Sequence, residues 1–154
     1  MKKMEWFTLL FVLGLDAATK TLISTLIPYG SDVVVIKDFF WLTYLKNTGA
    51  AWSFMEGQQW FFILLAAVAC VVMGVFFIKS DKKSTWLRYA LIFMFVGAFG
   101  NLIDRLTVGG VRDFLAFNIF GYHFPVFNVA DMALNVGVAC MIIETILDER
   151  RKHA

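Results

Sequence analysis

Four long apolar stretches, at about 4–27, 60–78, 87–103 and 126–147, constrain this 154-residue chain more than any other feature. A helix rises about 1.5 Å per residue and bilayer hydrocarbon is about 30 Å thick, so each stretch is long enough, or nearly so, to cross a membrane. Hydrophobic residues make up 60% of the chain and charged residues 17%. An ordinary soluble domain carries roughly 45–50% apolar and about 25% charged residues, so this chain cannot cover a water-facing surface. The same balance is the opposite of the disordered signature. The expected class is an all-α integral membrane protein, one membrane domain over residues 1–154 with four transmembrane helices.

Lysine and arginine give the orientation. Lys2 and Lys3, then Lys79, Lys82, Lys83 and Arg88, then Arg150, Arg151 and Lys152 lie on one side; only Lys37, Lys46, Arg105 and Arg112 lie on the other. Both termini and the loop 79–88 are therefore expected in the cytoplasm, with the connections 28–59 and 104–125 outside. Lys2 and Lys3 resemble the basic start of a secretory signal. Asp16 interrupts the apolar run that follows and no clean small-x-small site comes after it, so a retained span is expected.

The connection 28–59 contains a β-branched and aromatic run, 33–45, bounded by turn-forming residues, and reads as short strands of a small external sheet. The connection 104–125 carries Gly109-Gly110 and then an apolar segment, read as part strand or as a helix lying at the interface.

Several chemistries are disfavoured at once. Cys70 and Cys140 sit inside apolar runs, as small membrane residues do, and His123 and His153 are the only histidines. No HExxH helix, histidine cluster or Ser-His pairing can be assembled from them. A net charge of +2 without a basic stripe gives no reason to expect nucleic acid.

Ionisable residues within spans are costly and mark either a site or a paired structural charge. Asp16 and Lys20 share a face of span one. Asn101, Asp104 and Arg105 share a face at the outer end of span three, and Asn128, Asp131 and Asn135 one at the outer start of span four. Asp113 lies in the outer connection, after glycines that let the backbone approach closely. Asp113 and Asp131 can then meet over a water, the minimum apparatus of aspartic hydrolysis, with one proton shared between them. Structural alternatives stand beside this reading. Asp16–Lys20 can be an intrahelical ion pair, Asp104 and Arg105 an interfacial anchor, the three asparagines interhelical glue, and Gly97 and Gly100 packing residues.

Five blocks in order carry a resemblance: Asp16–Lys20, Asn47–Ser53, Gly97–Arg105, Val111–Phe114 and Phe127–Asp131. Together they resemble the lipoprotein signal peptidases, the bacterial signal peptidase II family, over nearly the whole length. The resemblance implies a four-span aspartic endopeptidase of the bacterial inner membrane that removes signal peptides from diacylglyceryl-modified prolipoproteins just before the lipidated cysteine. By motif, Asp113 and Asp131 are its catalytic dyad. Asn47, Asn101, Arg105 and Asn128 line the site and hold substrate; Asp16, Lys20, Asp104, Gly49 and Asn135 support it. It further implies an external β-cradle from 28–59, a mobile external helix between spans three and four, no metal or organic cofactor, membrane lipid as surroundings, inhibition by globomycin-type peptides, and a monomer.

The sequence departs from the family pattern at Ala17, Val96 and Met132, the last beside the second aspartate where a serine is common. A non-catalytic, lipid-binding paralogue and a small ion-coupled transporter using Asp16, Lys20 and Asp131 are the competing expectations. The charge-free second span and the apolar inner half of the fourth speak against a transport path.

Overall fold

The computed structural model describes residues 1–49 and 55–153. Four helices, α1 (Lys3–Leu26), α2 (Gln59–Lys79), α3 (Thr85–Thr107) and α4 (Val129–His153), account for the apolar stretches. The shortest has 21 residues, about 32 Å of rise and enough to cross hydrocarbon. Burial is inverted relative to a water-soluble bundle. The buried residues of α1 are Glu5, Asp16, Lys20 and Ile23, while Leu10, Phe11 and Leu22 of the same helix are exposed. Lipid solvates leucine and phenylalanine at no cost, whereas charge in hydrocarbon must find a partner inside the protein. α2, with no charge before Lys79, buries only Cys70 and Met73. The protein is a multi-pass membrane protein.

The central helix is α3, which packs against α1, α2 and α4. Its contact with α4 is close because both helices present small residues there. A Cβ added to Gly97 would collide with the Ala130 carbonyl and the Leu134 side chain, and one added to Gly137 would collide with Met94. In lipid, where burying apolar surface gains little between helices, such backbone approach supplies the van der Waals contact that holds them together. The packing role expected for Gly97 and Gly100 is what the structure shows.

At one end of the bundle sits an antiparallel sheet of β1 (Asp32–Ile36), β2 (Phe40–Asn47), β3 (Val111–Ile119) and β4 (Tyr122–His123), in that spatial order. β1 and β2 form the hairpin expected from 28–59. β2 also pairs with β3 from the other connection, from Phe40 opposite Phe117 to Asn47 opposite Val111, with an irregularity between Leu42 and Leu45. The external helix implied between spans three and four is thus replaced, among the described residues, by two strands. The cause is local: β2 offers a free edge, and Val111–Ile119 is rich in β-branched and aromatic residues that fill it. Gly109 and Gly110, at φ +75° and +159°, turn the chain from α3 into that strand, and a Cβ at Gly110 would press on Lys46 and the Asn47 carbonyl. β3 is then fixed to Phe127, two residues before α4 begins. Leu115 N–H donates to the Phe127 carbonyl at 2.8 Å, and Phe127 N–H donates back at 3.2 Å.

The opposite end carries a buried ion pair, Arg88 with Glu5, where the sequence suggests only a basic loop. Arg88 Nε and Nη2 donate to the two oxygens of Glu5 at 2.7 and 3.0 Å. Its Nη1 donates to Ser80 Oγ at 2.8 Å, and the guanidinium lies 4.0 Å over the Phe77 ring. One side chain therefore joins the start of α1 to the α2–α3 turn.

Gly97→Ala is expected to lower the thermal unfolding midpoint of the detergent-solubilised protein, by an overpacking cost of about 1–3 kcal/mol. Gly14→Ala, whose added Cβ meets nothing within 4 Å, is the matched control and is expected to leave the midpoint unchanged or slightly raised.

Candidate active site

The position of Asp131 follows from how α4 begins. Asn128 precedes the helix; its Oδ1 accepts the Asp131 N–H at 3.0 Å, and Asp131 Oδ2 accepts the Asn128 N–H at 3.1 Å. This reciprocal cap satisfies donors that a helix start would otherwise leave open. Asp131 Oδ1 accepts a second bond, 2.7 Å from Asn101 Nδ2 on α3.

Asp113 arrives from β3. Because Leu115 is bonded to Phe127, Asp113 falls two residues along the strand and beside Asn128, the next residue after Phe127. Asp113 Oδ1 accepts Asn128 Nδ2 at 2.7 Å, and Oδ2 accepts Asn47 Nδ2 from β2 at 3.2 Å. Asn128 thus touches both carboxylates. It is completely buried, and it stands behind the two acids and does not line the cleft in front of them.

Beneath the pair lies a charge cluster. Lys20 Nζ meets Asp16 Oδ2 at 2.9 Å and Asp104 Oδ2 at 3.5 Å, and donates to Asn101 Oδ1 at 3.0 Å. With that oxygen turned to the ammonium, and also accepting Asn128 Nδ2 at 3.2 Å, the Asn101 amide can present only its NH2 group to Asp131. Asp16 Oδ1 accepts the Ala130 N–H of α4 at 2.9 Å. Asp104 holds Arg112, by its guanidinium at 2.7 Å and by its backbone N–H at 2.9 Å, and so fixes the residue before Asp113. Arg112 was not singled out in the sequence; the glycine pair that folds it back onto Asp104 was the available signal.

Asp113, Asp131, Asn47, Asn101, Arg105 and Asn128 are therefore brought together, with Asp16, Lys20 and Asp104 packed under them. The Gly49 carbonyl accepts Arg105 Nη2 at 3.1 Å, and its N–H donates to Asn47 Oδ1 at 2.9 Å. Asn135 sits one turn along α4 and donates to the Asp131 carbonyl at 3.0 Å. Positions 50–53 of the second sequence block lie outside the described residues. Met132 is exposed and outside the cleft lining, Ala17 is exposed, and Val96 fills the core beside Gly97.

The acids face a cleft of about 750 Å³ that runs from β2 and β3 down between α2 and α4. Its upper part is polar, with Asn47, Asn101 and Arg105 beside the carboxylates; its lower part is apolar, with Phe62, Leu65 and Leu134. Such a cleft suits a molecule that is peptide at one end and hydrocarbon at the other. Burial, and then the negative charge of Asp131, push the Asp113 carboxyl up to about 7, against the hydrogen bonds from Asn128 and Asn47 that favour its ionised form. An acid buried next to another acid, at the head of a cleft, is the arrangement that moves protons.

The model of the signal peptidase (SPase) II family matches residues 8–147. The lipoprotein signal peptidase of Staphylococcus haemolyticus (strain JCSC1435) is 40% identical over 158 residues, covering 99% of this chain and 100% of that protein. The lipoprotein signal peptidase of Staphylococcus aureus (strain JH9) is 39% identical over 142 residues, 92% of this chain and 87% of its own. Two solved bacterial membrane enzyme structures, obtained by the in meso method at 2.3 and 1.9 Å, superpose with TM-scores of 0.90 and 0.82. They are 37% and 38% identical, cover 97% and 91% of this chain, and are themselves covered over 91% and 90%.

Infrared difference spectroscopy across pH should show a protonated carboxyl band that disappears with a midpoint near 7 and is absent from Asp113→Asn. In Asp131→Asn the neighbouring negative charge is gone, so the Asp113 midpoint is expected to fall. An unchanged midpoint in that variant would separate the two acids electrostatically.

Proposed function

Since this chain belongs to the signal peptidase II family, we propose that it cleaves the signal peptide from diacylglyceryl-modified prolipoproteins with Asp113 and Asp131 as an aspartic dyad. The observation that carries this reading is the single asparagine, Asn128, bonded to both acids at the head of an amphipathic cleft.

The chemistry needs one proton between two carboxyls. Both oxygens of each acid accept bonds from fixed donors, so the proton is assigned to Asp113, whose carboxyl burial and the neighbouring Asp131 charge push up to about 7. Asp131 takes a proton from water as the water oxygen attacks the scissile carbonyl carbon. Asp113 gives its proton to the carbonyl oxygen, from its Oδ2, the oxygen held by the longer bond, 3.2 Å from Asn47 Nδ2. The tetrahedral diol then collapses: the C–N bond breaks, the nitrogen of the lipidated cysteine takes the proton held by Asp131, and the diol returns one to Asp113. Asn47 and Arg105 line the route of the substrate backbone, and the apolar wall of α2 and α4 receives hydrocarbon.

Lysine and arginine asymmetry supports placing the sheet end outside the bacterial cytoplasmic membrane and both termini within the cell. A lipidated substrate then diffuses laterally with its acyl chains in the bilayer and meets the dyad where water is available. The enzyme is read as a monomer, and globomycin-type peptides as competitors for the same cleft.

A gel-shift cleavage assay on purified protein should process diacylglyceryl-modified prolipoprotein and leave the unmodified form intact. Asp113→Asn and Asp131→Asn are each expected to lower kcat by about 10⁴-fold or more. The parent's kcat/KM should fall on both sides of an optimum, the alkaline limb reporting loss of the shared proton and the acid limb gain of a second, as properties of the pair. Turnover by Asp131→Asn at the parental rate would remove this residue from the mechanism.

A further inference from the structure

The half of the bundle away from the dyad contains a second recess, of about 190 Å³, lined by Leu9 of α1, Met73, Gly74 and Phe77 of α2, and Leu91 and Ile92 of α3 among others, with Met1 and Ile78 at its end. It exists because α1 and α2 both pack on α3 while making at most marginal contact with each other. Leu91 and Ile92 are buried in its floor. Gly74 keeps its wall open, for a Cβ there would meet nothing within 4 Å.

The size and the setting narrow the occupant. A cavity of about 150 Å³ lined by Leu, Ile and Phe holds a small hydrocarbon and stays dry. A helix, about 10–12 Å across, is far too wide. The recess faces lipid, so a segment of acyl chain is what fits. The charge at its mouth selects the headgroup. Lys2 follows the lining Met1 and Lys79 follows the lining Ile78, both are exposed, and among the described residues neither forms an ion pair. Lys3, Lys82 and Lys83 add positive charge at the same end, with Asp81 among them and Glu5, held by Arg88, beside Lys2. Arg88 is taken up by Glu5 and does not contribute.

We propose that the recess between α1 and α2 is a binding site for one anionic phospholipid, an acyl chain lying over Leu91 and Ile92 beside Gly74 and the phosphate held by Lys2 and Lys79. The lipid fills the gap where α1 and α2 lack protein contact. The assignment to the cytoplasmic leaflet rests on the orientation proposed above; the binding itself does not depend on turnover.

Native mass spectrometry of the full chain, titrated in detergent with dioleoylphosphatidylglycerol or dioleoylphosphatidylcholine, tests it. One phosphatidylglycerol should be retained about tenfold or more tightly than phosphatidylcholine, because basic residues at the membrane surface attract an anionic headgroup. Gly74→Leu, whose Cβ meets nothing within 4 Å and whose isobutyl group takes up space in the recess, is expected to weaken that retention at least tenfold. The double change Lys2→Gln with Lys79→Gln, on the surface and outside the folding core, should bring phosphatidylglycerol down to the level of phosphatidylcholine. Equal retention of the two lipids by the parent overturns the proposal. So does parental retention by Gly74→Leu, which would mean a diffuse effect of surface charge, or a dimer mass that lipid competes away, which would mean a second copy in the recess. Since no step requires cleavage, failure here and failure of the proposed peptidase activity are read separately.

Discussion

Lys20 is buried to 1% exposure in a helix whose other faces meet lipid, and nearly everything around the dyad follows from having to neutralise it. Isolated charge in a medium of low dielectric is prohibitively expensive. The ammonium is met by Asp16 one turn back and by Asp104 on α3, and it takes the oxygen of Asn101. Each partner is thereby committed to a second task. Asp16 anchors the start of α4 through Ala130, Asp104 anchors β3 through Arg112, and Asn101 turns its amide to Asp131. One buried cation thus fixes three elements that carry or contact the acids, and replacing either partner of such a buried pair leaves an uncompensated charge behind.

The sheet supplies what the helices cannot. Asp113 belongs to a strand whose register is set on one side by β2 and on the other by Phe127. The two acids therefore sit on different kinds of element, joined by backbone hydrogen bonds and by the buried side chain of Asn128. α2 stands apart from this framework. It leans on α3, and Gln59 at its start donates to the Arg105 carbonyl at 2.9 Å. The apolar wall it gives the cleft needs no polar precision, because hydrocarbon on one side and hydrocarbon on the other place little demand on geometry.

The parts of this architecture legible in the sequence were those governed by solvent. Four spans, charges turned inward, and Asp113 and Asp131 at one level all follow from the cost of polarity in lipid, and the residues Asp16, Lys20, Asn101 and Asp104 were visible for the same reason. What could not be read was pairing between distant segments. A strand and an interfacial helix make similar demands on a segment such as Val111–Ile119, and only the free edge of β2, 64 to 77 residues earlier, decides between them. Glu5 and Arg88, 83 residues apart, gave no local pattern either, since each alone passes for an ordinary charge near a membrane surface. Met132, beside an acid in sequence, proved to point away from it, as the 100° step of a helix makes natural.

The cap at the start of α4 gives position 131 a double hold on the protein. The carboxylate proposed to activate water also closes the first turn of its own helix, so on that reading selection for a folded chain and selection for chemistry act on the same two oxygens. Of the replacements open to an aspartate, asparagine alone keeps an acceptor of the same reach for the Asn128 N–H while giving up the acid. Any lineage that abandoned the reaction yet kept the fold would pass most easily through that one residue. Drift to alanine, glycine or valine would loosen the helix start as it silenced the site, and would tend to be lost from the cell as unstable protein before it could be inherited as an inactive one.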